Sequence, residues 1–245
     1  MDARRASNGA RAGSSERPRV AMRRSALAVA LAVSVPSAAH AQQEDVQQWT
    51  LLSATGRVSG DVVVYAEGQP RFTDDVSRAG QLLIRPAIGV QVDPDAQLLL
   101  GYAYVRTEPL GGRATDEHRV WQQLLWTAYR GRGGFTLASR TRLEQRTVVG
   151  ADDLGWRLRQ QLRAQAPIRA GSTLQAVAWT EPFYNLDATD WGQRRGFDQV
   201  RSFIGLGVPV AAGLTAEPGY LNQTVFRRGE DRVNHVASLT LAYRF

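Results

Sequence analysis

The sequence contains no cysteine and no lysine. Without cysteine it can build neither a disulfide framework nor a thiolate metal site, so its chemistry is confined to oxygen and nitrogen groups. Without lysine, all thirty basic residues are arginine. Genomic base composition accounts for such a bias, which also makes every fixed cation a planar guanidinium able to pair bidentately with carboxylates. Uninterrupted apolar runs are lacking too. No stretch reaches the roughly eighteen residues that a membrane-spanning helix needs, which excludes a helical membrane protein. No segment keeps a helical period, and no glycine loop of the phosphate-cradling kind occurs.

What is present begins with a targeting signal. Arg23 and Arg24 precede a nearly wholly apolar run from Ser25 to Val35, followed by Pro36-Ser-Ala-Ala-His-Ala41. That is a charged leader, a hydrophobic segment and an A-x-A cleavage site, so residues 1–41 are expected to be a signal peptide of the general secretory kind, cleaved near Ala41. Met22 stands where such a leader would naturally start. The formal charge of +7 falls to +2 once residues 1–41 are set aside, leaving 23 arginines against 21 acids. With that, the compositional case for a nucleic-acid partner disappears.

From residue 42 onward the chain alternates and turns. Runs at about 46–57, 61–72, 78–92, 97–107, 117–129, 134–147, 155–166, 172–184, 197–208, 214–226 and 233–245 read as strands. Short connections at 59–60, 93–95, 131–133, 167–171 and 209–213 alternate with longer polar ones at 73–77, 108–116, 148–154, 185–196 and 227–232. Short turns at one end and long loops at the other are the pattern of an outer-membrane barrel. The last strand, Asn234 to Phe245, places His235, Ala237, Leu239, Leu241, Tyr243 and Phe245 on one face. The expectation is an all-β, transmembrane, antiparallel up-and-down barrel of about 10–12 strands over residues 42–245. In it Leu241, Tyr243 and Phe245 serve as the signal read by the barrel-assembly machinery, and the barrel closes on its first strand. Eleven strands is an odd count where bacterial barrels favour even ones, so either one strand is missed or the N-terminal stretch does something other than pair. A soluble β-sandwich is the competing architecture, disfavoured by the aromatic terminus and the polar inner faces.

Charges recur opposite the apolar stripes: Glu117 and Arg119; Arg140, Arg142, Glu144 and Arg146; Arg157, Arg159 and Arg163; Glu181; Arg201. Treating each short turn as a tight hairpin, and pairing across the loops to match, sets Glu117 against Arg146, Arg119 against Glu144, Glu144 against Arg159, Arg146 against Arg157, Arg157 against Glu181 with Arg201 near it after a small adjustment, and Glu67 against Arg85. The bland reading is a salt-bridge network filling a narrow barrel. The functional one is a basic track for small anionic solutes such as acidic oligosaccharides, carried by the surplus of Arg140, Arg142, Arg157, Arg159 and Arg163 over Glu144.

At these residues the chain resembles an uncharacterised family of Gram-negative outer-membrane β-barrel proteins, domain of unknown function 2490. The likeness rests on Glu117-His-Arg119 with Trp121-Gln-Gln123, on Arg140-x-Arg-x-Glu-x-Arg146, on Trp156-Arg-x-Arg159, on Glu181-Pro-Phe183 and on Gly219-Tyr-Leu-Asn-Gln223. It spans essentially all of residues 46–245 and implies a barrel in the outer membrane, with outer-membrane lipid around it. No activity and no cofactor come with it.

Catalysis and metal binding find little purchase. His118 and His235 are the histidines beyond the signal region, and an outer-membrane lipid hydrolase or acyltransferase would need one of them beside a serine. Ser238 lies three residues from His235, hence on the other face of its strand, and His118 shares an alternation class with Val120 and Leu124. Asp152-Asp153 and Asp187-x-x-Asp190 could hold calcium in the loops but read first as solvated charge. Asn222-Gln-Thr224 matches a glycosylation acceptor, which carries no information inside a strand.

Overall fold

A computed structural model of the protein describes residues 43–245, and the expected signal peptide lies outside the described residues. Eleven strands follow one another: β1 Gln43–Ser59, β2 Val62–Thr73, β3 Arg78–Asp93, β4 Ala96–Thr107, β5 Thr115–Arg130, β6 Thr136–Val148, β7 Gly155–Pro167, β8 Gln175–Asn185, β9 Gly196–Ala211, β10 Leu214–Val225 and β11 Arg232–Arg244. Each matches one of the runs read from period-two alternation, and each pairs with the next in a closed barrel. Among the described residues the odd count holds, and the first strand is paired on both sides. A meander of eleven strands brings its first and last strands round pointing the same way. The seam is therefore parallel, with Gln43 opposite Arg232 and Thr55 opposite Arg244, while every other pair is antiparallel. As a result Gln43 and Arg244 lie at opposite rims, Gln43 at the rim of the long loops and Arg244 at the rim of the short turns.

Alternation sorts the side chains into an outer wall and a lumen. Leu82, Ile84, Ile88 and Val90 of β3, Leu158 and Leu162 of β7, and Ile204 and Leu206 of β9 are exposed on the outside. Aromatic side chains gather at both ends of this apolar wall: Tyr104, Trp156, Tyr184 and Phe197 toward the long loops, Trp126, Tyr129, Tyr243 and Phe245 toward the short turns.

The inner faces are less uniformly polar than the sequence suggests. Trp49, Val177, Phe203, Leu221 and Val236 form one buried apolar cluster inside the barrel, and Val63, Leu99, Ala103 and Trp121 form a second. Eleven strands enclose little space, and inward side chains fill it. Gly101 shows how tightly. It sits opposite Trp121 in register, and a Cβ there would stand 2.2 Å from the fully buried indole. Gly101→Val is expected to destabilise by overpacking, on the order of 1–3 kcal/mol, read as a lower urea midpoint of the detergent-solubilised barrel.

Candidate functional site in the lumen

The inward positions of β5 to β9 carry the charge ladder. On β5, Arg119 donates to Glu117 at 2.7 Å, and Arg146 reaches the same carboxylate from β6 at 2.5 Å. Glu144 is the hub. It accepts from Arg157 at 2.6 Å and Arg159 at 2.7 Å, with Arg142 at 3.8 Å and Arg119 at 4.0 Å, and it is 1% exposed. Arg159 continues to Glu181 at 2.9 Å, where Arg140 arrives at 2.9 Å. Arg157 also lies 3.4 Å from Asp198. Glu117, Glu144 and Glu181 thus each have at least two guanidinium partners, which offsets the desolvation cost of burying them.

Most of these contacts form even though the hairpin registers differ from those expected. Arg119, not Glu117, is opposite Arg146; Glu144, not Arg146, is opposite Arg157; and Arg157 is opposite Asn185 rather than Glu181. The first two strand pairs are shifted by two residues and the third by four. Their connections are not tight hairpins: β5 carries an irregularity at Thr127/Tyr129 before a 3-10 turn, Arg132–Gly134, and β8 begins only at Gln175 after a connection closed by the Ile168 N–H donating to the Leu174 carbonyl. Even shifts keep every side chain on its own face, and arginine is long enough to pair diagonally. Two expected juxtapositions fail. Arg157 pairs with Glu144 and Asp198 instead of Glu181, and Arg146 with Glu117 instead of standing against Arg157. Glu67 stands opposite Arg85 as read, and Glu181 stands opposite Arg201.

The surplus cations also differ from those expected. Arg140 is matched by Glu181, and Arg163 by Glu217 of β10, a partner that sequence reasoning missed. Arg71 and Arg201 are the guanidinium groups of this region without a carboxylate partner among the described residues. Arg71 donates to the side-chain oxygens of Gln69 and Gln81, both neutral. Arg201 makes no side-chain hydrogen bond to any described residue, and its Nε is buried without a partner. Instead, Arg71 lies 3.8 Å from the centre of the Trp49 ring, and Arg201 lies 5.0 Å from Trp49 and 4.7 Å from Phe183, all in cation–π geometry. The signal for Arg71 was available, since Glu67, Gln69 and Arg71 share one face of β2 at period two; its pairing with Trp49, directly opposite on β1, was not read.

Two cavities flank this cluster. One, of about 680 Å³, opens toward the short turns past Pro209, Gly213 and Arg244, and one, of about 540 Å³, opens toward the long loops past Thr73, Glu108 and Arg227. Trp49, Arg71, Arg85, Arg159 and Arg201 line both. They form a septum across the lumen. Both chambers are basic: eight arginines face three glutamates in the first, and ten arginines face four acids in the second.

The loop acids serve structure. The Asp190 carboxylate accepts from the Asp152 and Asp153 backbone N–H groups, and the Asp190 N–H donates to Asp153 at 2.7 Å, so the 149–154 and 186–195 loops clasp each other. Among the described residues no group of three or more histidine or acidic side chains is arranged to hold a metal ion. His118 and His235 lie on the outer wall, hydrogen-bonded to the hydroxyls of Tyr102 and Tyr220 at 2.5 and 2.7 Å respectively, and neither meets a serine.

A family model described as "Protein of unknown function (DUF2490)" matches residues 46–234, which is nearly the whole barrel. The chain belongs to the DUF2490 family. An uncharacterised protein of Methylorubrum extorquens is 40% identical over 204 residues, covering 82% of this chain and 89% of that one. No solved structure matches the chain. This DUF2490 barrel therefore has a relative of similar length that is itself described as uncharacterised.

Proposed function

We propose that this DUF2490 protein is an outer-membrane barrel with a lumen sealed by its own arginine and tryptophan side chains, so that it acts as a closed or narrowly permeable membrane element rather than as an open pore. The single observation that carries the reading is the septum: the same five side chains line both cavities and stand between them. An apolar outer wall capped at both ends by aromatic side chains supports lipid on the outside, because tryptophan and tyrosine favour the two membrane interfaces. The parallel seam and the terminal aromatic residues support delivery by the barrel-assembly machinery. A lipid-modifying role has weaker support, since the two outer histidines are engaged by tyrosines.

Recording in a planar bilayer tests the seal. Purified protein is expected to give little or no conductance, whereas Trp49→Ala, which removes the ring on which Arg71 and Arg201 rest, is expected to give discrete steps favouring chloride over potassium. Large steps from the unaltered protein would refute the seal, and cation selectivity in the variant would refute the basic lining. Orientation has its own check. An epitope placed in the 108–114 connection is expected to be reached by antibody on intact cells, and one placed at 212–213 is not.

The second reading, a passive route for small acidic solutes, is favoured by the excess of arginine over acid in both chambers. It requires the septum to yield.

A further inference from the structure

A folded protein rarely leaves a guanidinium inside its lumen with neither a carboxylate nor a carbonyl to donate to, because the five N–H donors of arginine are costly to desolvate unpaired. Arg201 is in that position. Its guanidinium lies over the Trp49 and Phe183 rings at 5.0 and 4.7 Å, while no described side chain accepts from its N–H edge. Unlike Arg142, which is buried against Trp121 and donates to Gln123, Arg201 is partly exposed to the lumen. Arg71 adds a second charge matched only by amides. Stacking fixes the plane of a guanidinium while leaving its edge to grip a planar oxyanion.

From this arrangement we infer an anion site at the septum, in which Arg201 grips the carboxylate of a small hydroxylated acid, with Arg71 supplying a second charge. The inference rests on the reading of a lumen closed at the septum and goes further by giving that septum a ligand. The hydroxyl requirement comes from the chamber on the short-turn side. Beside the site its wall carries Gln161, Ser53, Ser238 and Thr240, whose side chains have no hydrogen-bond partners among the described residues. Each is a donor and an acceptor at once, which suits a polyol, whereas a bare inorganic anion uses the donors alone. A chamber of about 680 Å³ falls within the range of small-molecule sites, on the order of 300–1,000 Å³, and suits a single sugar acid better than a chain of them.

Calorimetric titration of the purified, heat-modifiable barrel in detergent provides the test, with galacturonate as the probe and glucose, potassium chloride and inorganic phosphate as comparisons. Trp49 fluorescence offers a second readout, because the ring lies against the site. Saturable binding of galacturonate, with no response to glucose, is the expected result. Arg201→Gln should weaken it about tenfold or more, and Arg201→Lys should restore part of the loss, since charge returns without the fork. Arg132→Gln, at the short-turn rim, should leave it unchanged. If the folded barrel binds no galacturonate, or if Arg201→Gln binds it as well as the unaltered protein, the site is refuted while the sealed lumen stands. Phosphate bound as tightly as galacturonate overturns the assignment to a hydroxylated carboxylate. Intact binding in a barrel that conducts freely leaves the site in place and removes the seal.

Discussion

Glu144→Ala is expected to lower the stability of the solubilised barrel by about 3–5 kcal/mol, the cost of removing one partner from a buried, hydrogen-bonded ion pair. Glu144 holds Arg157 and Arg159 directly and has Arg142 and Arg119 within 4.0 Å. Alanine leaves all four without their common counter-charge, in a place where water has little access. Arg119 keeps Glu117, Arg159 keeps Glu181, and Arg157 keeps only the partly exposed Asp198 at 3.4 Å, so the largest shares fall on Arg142, which keeps no carboxylate, and then on Arg157. The check is the urea midpoint of refolded protein, read by the shift between heat-modified and unmodified forms on a gel. Arg157→Ala combined with Glu144→Ala should cost clearly less than the sum of the two single changes, because the second removes a charge that the first has orphaned. Additive losses would mean that the hub is open to lumen water and that its pairs are individually weak.

The second large effect is expected at the seam. Deleting Phe245, or making Gly56→Leu, should sharply reduce the amount of heat-resistant barrel in the membrane fraction while leaving signal cleavage intact. β1 and β11 are the neighbouring strands that no turn connects, and their parallel ladder is inherently somewhat weaker per residue than an antiparallel one. At the short-turn rim the seam is fastened by Phe245, whose N–H donates to the Thr55 carbonyl at 3.1 Å and whose ring lies over Gly56. A Cβ on Gly56 would come within 2.5 Å of that ring, so no larger residue fits without moving the terminal strand. At the other rim Asp45 joins Arg232 across the same seam at 2.5 Å. Two substitutions on different strands should therefore give one phenotype. Wild-type levels of either variant in the membrane would remove the closing role assigned to Phe245, and with it the part given to Leu241 and Tyr243.

Strand existence, order and facing were legible in the sequence because each depends on local information. Period-two alternation assigns every side chain to a face, and turn residues punctuate the runs, so eleven strands and an arginine-rich interior follow from reading Glu117 to Arg201 two residues at a time. Glu67 against Arg85 was legible as well, since β2 and β3 are consecutive strands whose 74–77 turn keeps the ladder in step. Register across less regular connections was not, because the irregularity near Thr127 and the late start of β8 depend on how the backbone packs, and nothing local to β6 or β7 records a slip of two residues. Hidden for the same reason were the partners of Arg163 and Arg201. Glu217 is 54 residues from Arg163, and Trp49 meets Arg201 only because β1 has come round to β11. Alternation tells each arginine which way to face, but only closing the ring decides which arginines find a carboxylate and which are left resting on tryptophan with their charge unspent.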